Sequence, residues 1–511
     1  MYIFLFKIQQ THLIDWLLYN PNQPLLFTRP VFWVFFILVF AIFSAIYKNT
    51  FWRNTWLFVI SIFFYYKSSG LFFSLILLSV IINFLIGNSL HKTPKLKHKK
   101  AWVALAVIYN LSWLVYFKYT YFFSGLINNW FGTDIVVKDW LLSGINQATG
   151  SNFEASRIIL PVGISFYSFQ ILSYIVDLYR NKVEPVKNVL DFGFYVSFFP
   201  QLIAGPIVRA ASFIPQMYSG YKVQKEEAGQ ALFLILNGLI KKIIIADYIS
   251  VNFVDRVFDN PLSYSGLENL LAVYGYSLQI YCDFSGYTDI AIGLALWMGF
   301  RLPINFNSPY KAANITDFWR RWHISLSSWL KDYLYIPLGG NRKGKKRTYV
   351  NLFITMLLGG LWHGANLRFV IWGALHGIYL AVHKLYFSYF PEKENPKWHW
   401  LRVFFTFHIV TFTWMAFRSD SMNMVMDMFN QIFVNFKGSH FFEIVTAHSI
   451  TLLLILSAFI IHWLPNKAKN WYKGQFILLP TYLKIFITLL IVFILAQFTS
   501  ADLQPFIYFQ F

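Results

Sequence analysis

The sequence predicts an all-α, polytopic integral membrane protein. Of its 511 residues, 57% are apolar and only 13% carry a charge. Apolar runs of about 20 residues, each long enough to cross a bilayer as a helix, recur along the chain. Neither an internal repeat nor a low-complexity linker interrupts them. We therefore expect one membrane domain over residues 1–511, with lipid as its main surroundings and no separate soluble domain.

The predicted spans fall into three groups: N-terminal helices (31–252), a central core (267–387) and C-terminal helices (401–511). No removable signal peptide is expected in the first 30 residues, because they lack a basic start, a contiguous apolar region and a small-residue cleavage site. The individual spans are 31–47, 51–66, 70–87, 101–117, 158–178, 190–208, 230–252, 267–299, 349–365, 369–387, 401–417, 446–464 and 482–499, with a short additional one at 120–131.

The positions of the basic residues predict the orientation. The net charge is +20, which would suggest nucleic acid for a soluble chain but sets topology in a membrane protein. If 31–47 runs inward, 31 of the 43 Lys and Arg fall on one side and 10 on the other. By the positive-inside rule the first side is cytoplasmic and both termini face outward. We expect a multi-pass protein of the cytoplasmic (inner) membrane. This requires 190–208 to be re-entrant or kinked, and Gly205-Pro206 offers a backbone cause.

The single cysteine, Cys282, excludes an internal disulfide and a thiol-based zinc cluster, and we expect no metal. An acyl-carrying role for Cys282 is not expected, because the adjacent Asp283 disfavours the reactive thiolate. Asp283 and Asp289 lie in an apolar helical pattern, where buried carboxylates need partners. They could orient a histidine or, as we favour, pair with an arginine to hold helices together. Ser285, Tyr287 and Trp362 are further candidates to support a site.

Two histidines are the main catalytic candidates. His323 lies in the motif WRRWHISL (319–326) and His363 in GGLWHGA (359–365). An ionisable side chain at membrane depth is costly unless it faces protein or water, so it indicates a functional site. A lone histidine in an apolar span is more often simply packed, and this interpretation is given to His376, His408, His448 and His462.

Seven segments together resemble the membrane-bound O-acyltransferases, specifically their bacterial alginate O-acetyltransferase-like branch, and they follow that family's order: 161–170, 199–209, 283–293, 319–326, 329–341, 359–365 and 372–377. The resemblance implies a ring of about 11–14 transmembrane or re-entrant helices around a central funnel or tunnel. It also implies that His363 lies deep in the membrane and His323 nearer the cytoplasm.

The implied activity is transfer of an acyl group, most simply acetyl, from a cytoplasmic thioester such as acetyl-CoA to a hydroxyl of an exported polysaccharide or cell-wall glycan. A secreted or membrane-anchored partner of the esterase-like (SGNH) type could relay the group. Neutral imidazole suits proton transfer near neutral pH, so His363 would act as the base and His323 would position the donor. No bound cofactor and no nucleic-acid partner are expected.

Arg320, Arg321 and Lys331 could hold the phosphates of a coenzyme A donor, or they could be topology signals only. The same two interpretations apply to the basic loop 342–347. Two other functions stay open. One is a D-alanyl transfer protein of teichoic-acid modification, against which the stretch 335–341 favours the alginate-type branch. The other is a proton-coupled transporter, which intramembrane Asp and His would also suit.

Overall fold

The computed structural model describes residues 17–150, 154–390, 396–498 and 506–507, and these ranges contain helices and connections but no strand. The predicted all-α fold is confirmed. The chain divides into two compact units, which we call unit 1 (residues 1–203 and 207–222) and unit 2 (204–206 and 223–511). The prediction of a single domain over 1–511 stays a prediction.

Unit 1 contains ten α-helices in the described residues. Their limits often follow local capping: Asn49 accepts hydrogen bonds from the backbone N–H groups of Phe51 and Trp52 at the start of α2, which ends at Gly70 with a φ of 60°. The helices are α1 (Pro30–Ile46), α2 (Thr50–Ser69), α3 (Phe73–Lys92), α4 (Leu96–Leu114), α5 (Thr120–Phe131), α6 (Trp140–Thr149), α7 (Ile164–Tyr179), α8 (Val189–Ser197), α9 (Phe199–Leu202) and α10 (Ala210–Tyr218).

Two of the family-like segments meet around one buried tyrosine of unit 1. The side-chain amides of Gln170 and Gln201 both donate to the carbonyl oxygen of Tyr195, at 2.6 and 2.7 Å. The Tyr195 hydroxyl donates in turn to the carbonyl oxygen of Val208 at 3.2 Å. Segments 161–170 and 199–209 therefore have a structural role in joining α7, α8 and the chain that follows α9.

The segment 190–208 is bent, as predicted, but the cause lies earlier than expected. Helix α8 ends at Ser197, and Phe198 has an extended ψ of 112°. Pro200 then stands in the first turn of α9, where a proline cannot continue the preceding helix because it lacks an N–H and clashes with the carbonyl four residues back. The predicted cause, Gly205-Pro206, follows the bend rather than producing it.

Unit 2 contains thirteen α-helices in the described residues. They are α11 (Lys225–Leu239), α12 (Asp255–Asp259), α13 (Gly266–Trp297), α14 (Ile315–Arg321), α15 (Ile324–Leu330), α16 (Gly344–His363), α17 (Leu367–Tyr389), α18 (His399–Arg418), α19 (Met422–Phe433), α20 (Phe441–Ala447), α21 (Ser449–Trp463), α22 (Asn466–Leu478) and α23 (Thr481–Phe498). Wider π-helical turns follow α11 and α15, at Ile240–Asp247 and Lys331–Tyr335.

The long helix α13 forms the axis on which the site is built. A capping box starts it: Ser265 and Glu268 satisfy each other's backbone N–H groups. The helix then runs for 32 residues and buries most of them, including Asp283, Phe284 and Ser285. Because it is buried on nearly all sides, it can carry polar groups only where neighbouring helices supply partners.

Four helical stretches of the described residues are long and apolar enough to cross a membrane on their own, namely Thr50–Lys92, Leu96–Phe131, His399–Arg418 and Thr481–Phe498. A fifth is reached if Gly438–Ala447 and Ser449–Trp463, bent by 96°, count as one span. The other predicted spans coincide with shorter or less apolar helices. The count of 11–14 spanning or re-entrant helices stays a prediction.

Candidate active site

His323 occupies the tight turn between α14 and α15 and is fully buried. Its backbone is left-handed, with φ of 44° and ψ of 54°, which is uncommon for a residue other than glycine. The left-handed residue separates two short helices and turns the ring inward. The rings of His323 and Phe284 pack edge to face, with their centres 4.6 Å apart. Burial lowers the pKa of His323 to about 3, so the imidazole is neutral at physiological pH.

Asn305 holds the turn that carries His323. Its side-chain oxygen lies 3.2 Å from His323 Nδ1 and accepts hydrogen bonds from the backbone N–H and the hydroxyl of Ser325, both at 3.0 Å. Its own carbonyl accepts from the N–H of Ile324 at 2.9 Å. A single buried asparagine thus satisfies the polar groups at the start of α15. Sequence reasoning gave it no role.

His363 is the last residue of α16, and aromatic rings surround it. The rings of Trp362, Trp372 and Phe417 lie 5.0, 5.2 and 5.3 Å away, each roughly edge to face. Only 4% of the residue is exposed. Such packing fixes the ring in place and shields it from water.

Glycines bring α16 and α17 into backbone contact beside His363. A Cβ atom on Gly360 would lie 2.2 Å from the carbonyl oxygen of Phe369, and one on Gly373 would lie 2.4 Å from that of Met356. Gly359, by contrast, has only a flexible Leu330 methyl at 3.2 Å. Gly360 of the motif therefore allows another helix to come close.

Trp362 touches both histidines. Its ring centre lies 6.2 Å from that of His323 and 5.0 Å from that of His363. Segments that are about 40 residues apart in the chain thus meet at one indole. Of the predicted supporting residues, Trp362 is the one that the structure places against both imidazoles.

The two aspartates of α13 pair with lysines. Asp283 is buried against Lys242, and Asp289 binds Lys241 at 2.7 Å. Both lysines belong to the π-helical turn after α11, which holds the two helices together. The expected structural pairing is present, but the partner is lysine and not arginine: the predicted span 230–252 carries its own cations, and burying a cation beside a carboxylate offsets the cost of both.

Ser285 and Tyr287 follow on the same helix and are also buried. Phe506, near the C terminus, packs on the rings of Phe284 and Tyr287, at 5.5 and 5.0 Å. The next residue, Ile507, donates its N–H to Asp283 at 3.1 Å. Phe284 also packs on His323, so it links these residues to the His323 turn.

A cavity of about 1060 Å³ opens beside α15. We call it the basic cavity, because cationic side chains from four places in the chain line it: Arg320, Lys331, Lys345 and Lys384. Thr316, Ser327 and Ser328 add hydroxyl groups, and Trp319, Leu330 and Met356 form an apolar part of its wall. Of the predicted donor-binding residues, Arg320 and Lys331 lie here. Lys345 also lies here and belongs to the basic loop 342–347, for which phosphate binding was one of the two interpretations, whereas Lys384 was not predicted to line the site.

Arg321 is not among the residues that line this cavity. Its guanidinium binds Asp317, one helical turn earlier, with both carboxylate oxygens at 2.9 Å from Nε. Successive residues on a helix point about 100° apart, so neighbouring arginines seldom face one cavity. The pair Arg320 and Arg321 is therefore split between a cavity and an ion pair.

Three further histidines, His376, His408 and His462, and the cysteine occupy packed positions. His376 is buried and lies 3.1 Å from the Thr413 hydroxyl, and His408 lies 2.9 Å from the Tyr274 hydroxyl. His462 accepts a hydrogen bond from the N–H of Tyr310 at 3.2 Å. Cys282 is buried on α13. In the described ranges, no group of three or more His, Cys, Asp or Glu could hold a metal ion.

Two buried imidazoles thus share one tryptophan neighbour, and the residue after His323 lines a large cavity with cationic side chains in its walls. Comparison with known proteins defines the class further. Residues 185–426 match the membrane-bound O-acyltransferase family. The chain is 37% identical to a peptidoglycan O-acetyltransferase of Helicobacter pylori over 441 residues, covering 79% of this chain and 78% of the relative.

A probable alginate O-acetylase of Pseudomonas putida is 41% identical over 409 residues, 78% of this chain and 79% of the relative. A teichoic acid D-alanyltransferase of Bacillus subtilis is 30% identical over 284 residues, 51% of this chain and 69% of the relative. The chain belongs to the membrane-bound O-acyltransferase family. It is a multi-pass membrane protein and an O-acyltransferase, so the comparisons do not favour the transporter alternative.

Proposed function

We propose that this enzyme transfers an acetyl group from a cytoplasmic thioester, acetyl-CoA, to a hydroxyl of an exported polysaccharide or cell-wall glycan. The observation that carries the proposal is the basic cavity, with Arg320, Lys331, Lys345 and Lys384 in its walls. Four cations around one cavity of about 1060 Å³ suit a large, multiply phosphorylated donor, and this volume is at the upper end of the roughly 300–1,000 Å³ of ligand pockets.

The apolar side of the cavity leads toward the histidines. Ile324 and Ser327 line the cavity, and Ile324 directly follows His323. Trp319 lines it as well, and its ring lies 5.7 Å from that of Trp372, which in turn contacts His363. A donor bound with its phosphates at the cations would direct its thioester along this apolar wall.

The chemistry then needs one proton transfer. His363 takes the proton of the acceptor hydroxyl as the oxygen attacks the thioester carbonyl carbon. The carbon–sulfur bond breaks when the tetrahedral intermediate collapses, and the departing thiolate receives that proton back from His363, so that the ester and the free thiol are the products. His323, beside the cavity, positions the donor. No metal or bound cofactor enters these steps.

The orientation is part of the proposal. The excess of Lys and Arg on one side of the predicted spans supports a donor site that faces the cytoplasm, in the cytoplasmic membrane, with both termini outside. The names of two relatives, a peptidoglycan O-acetyltransferase and a probable alginate O-acetylase, support a glycan acceptor, and we place that acceptor on the opposite side. A secreted or membrane-anchored esterase-like protein would be the partner if the acetyl group is relayed.

An assay of acetyl transfer across the membrane of sealed vesicles tests the proposal. Inside-out membrane vesicles present the cytoplasmic face to the medium, so labelled acetyl-CoA added outside them should label glycan or a partner protein enclosed in the lumen. Vesicles with His363→Ala in equal amount should give background labelling. Equal labelling by both preparations, or labelling only when the donor is supplied on the lumenal side, would contradict the proposal.

The same vesicles test D-alanyl transfer, which the similarity to the Bacillus subtilis D-alanyltransferase favours as the second candidate. A carrier-protein D-alanyl thioester replaces acetyl-CoA as the donor in this arm. Label transfer from that donor alone would show that the basic cavity serves a carrier-bound phosphopantetheine rather than coenzyme A.

A further inference from the structure

The two nitrogens of His323 are chemically different in a neutral ring, and the structure assigns them through Asn305. The backbone N–H of Ser325 can only donate, and it points at the side-chain oxygen of Asn305 at 3.0 Å. This contact fixes which end of the amide is oxygen, since an NH₂ group there would face another donor. The amide of Asn305 therefore has one orientation.

The same oxygen lies 3.2 Å from His323 Nδ1. Because it can only accept, Nδ1 must carry the ring proton, and the lone pair of the neutral imidazole is left on Nε2. The Ser325 hydroxyl donates to this oxygen as well, so the acceptor is saturated by three donors. Asn305 is buried to 1% exposure, which shields this arrangement from water.

We propose that Asn305 is a positioning residue that locks His323 in the tautomer with the proton on Nδ1, so that Nε2 can accept a proton or a hydrogen bond but cannot donate one. The inference deepens the proposed function and rests on it. It excludes a role in which His323 donates to the carbonyl oxygen of the thioester. It allows His323 to accept an N–H of the donor's pantetheine arm, or to take up a proton during transfer.

The elements packed on the imidazole are α13 through Phe284, α16 through Trp362 and the 305–307 connection. The titratable and charged residues that these elements and α14 bring near are Asp283 with its partner Lys242, His363, Arg320, and Arg321 with its partner Asp317.

The direct test needs no substrate. Solid-state ¹⁵N NMR of the full-length protein, labelled on its histidine ring nitrogens, reads which nitrogen is protonated, and the His323→Ala spectrum identifies the His323 signals. We expect a protonated Nδ1 and an unprotonated Nε2. Asn305→Leu should shift the His323 signals toward the other tautomer. A wild-type His323 with its proton on Nε2 would overturn the proposal.

Kinetics give the second readout. Asn305→Leu should lower kcat about 10- to 100-fold, the usual effect of losing a group that orients a functional histidine, with little change in the donor KM. Asn305→Asp keeps an oxygen acceptor for Nδ1–H and adds a negative charge that raises the pKa of His323. Its kcat should recover at high pH, and the acidic limb of the profile should move to higher pH than in the wild type.

Asn307→Leu is the matched control, because this exposed asparagine lies two residues away on the same connection and should leave kcat and pH profile unchanged. An Asn305→Leu protein with normal kcat per folded molecule would contradict the proposal. If the NMR result holds but no acetyl transfer is found, the donor and acceptor proposed above are wrong and the role of Asn305 stands.

Discussion

The two histidine motifs of this enzyme are held in opposite ways. His323 sits in an irregular turn with a left-handed backbone, and hydrogen bonds to Asn305 define its ring. His363 sits at the end of a regular helix, where tryptophan and phenylalanine rings surround it and glycines draw α16 against α17. One imidazole is oriented by polar contacts from a separate connection, and the other is enclosed by aromatic rings.

The two ways of holding a histidine should respond differently to substitution. A polar turn tolerates change in its apolar neighbours but depends on one amide, whereas an aromatic shell depends on the volume of every ring and on the absence of side chains at two glycines. Substitutions around His323 should therefore change mainly the catalytic activity. Substitutions around His363 should change the stability of the fold as well.

The largest effect is expected at His363 itself. His363→Ala and His363→Gln should lower kcat about 10²- to 10⁴-fold or abolish transfer, since a general base contributes about that much. Expression and membrane insertion should stay normal, as measured by yield and size-exclusion profile in detergent. His323→Ala should also inactivate the enzyme, although partial activity would agree with a positioning role. Near-normal kcat in both His363 variants would reject it as the base.

The buried ion pair behind His323 should matter for stability. Asp283→Asn leaves Lys242 with Asp247 as its remaining carboxylate, at 2.7 Å, and should cost about 3 kcal/mol, the low end for breaking a buried pair. Asp289→Asn affects a pair whose side chains are about one-fifth exposed and should cost about 1 kcal/mol. Thermal unfolding in detergent measures both. A stable Asp283→Asn protein that has lost all activity would indicate a catalytic carboxylate instead.

Neighbouring glycines of the His363 motif provide the next contrast. Gly360→Ala forces a Cβ into the backbone of α17 and should destabilise the protein by about 1–3 kcal/mol, the range for overpacking. Gly359→Ala meets only a movable methyl group and gains helix propensity, so it should be neutral or slightly stabilising. Equal unfolding temperatures for the two variants would show that α16 and α17 can separate without cost.

The smallest effect is expected at the adjacent arginines next to the His323 turn. Arg320→Ala removes a cation from the basic cavity and should raise the KM for acetyl-CoA about tenfold, because a charge-assisted hydrogen bond contributes about 1.5–3 kcal/mol. Arg321→Ala removes only the ion pair to Asp317 and should leave that KM unchanged. Titration of acetyl-CoA at saturating acceptor separates them. If both variants keep the wild-type KM, the donor binds elsewhere.

Much of this arrangement could be predicted from the sequence. The apolar runs predict the helices to within a few residues for most segments, and the WRRWHISL and GGLWHGA motifs identify both histidines and the family. Such features are local: a span is a property of about 20 consecutive residues, and a motif of fewer than ten. His376, His408, His448 and His462 contact neighbouring side chains or backbone, in agreement with the structural interpretation given to them.

The features that could not be predicted depend on which side chains meet across the fold. Nothing near Asp283 in the sequence indicates that Lys242, about 40 residues earlier, is its partner. Lys384 reaches the basic cavity from the far end of α17, and Arg321 is diverted by a local carboxylate. Asn305 could have been noticed, since a buried asparagine in a proline-interrupted connection often caps a turn, but its target could not have been named.

The indole of Trp362, which touches both imidazoles, has one further consequence. Its single N–H is a donor only and does not exchange a proton between neighbouring groups as a hydroxyl or an imidazole can. The ring that the two histidines share as a neighbour therefore does not carry a proton from one imidazole to the other. The proton that His363 takes from the acceptor hydroxyl should therefore not reach His323 through this indole, and the same imidazole should return it to the departing sulfur.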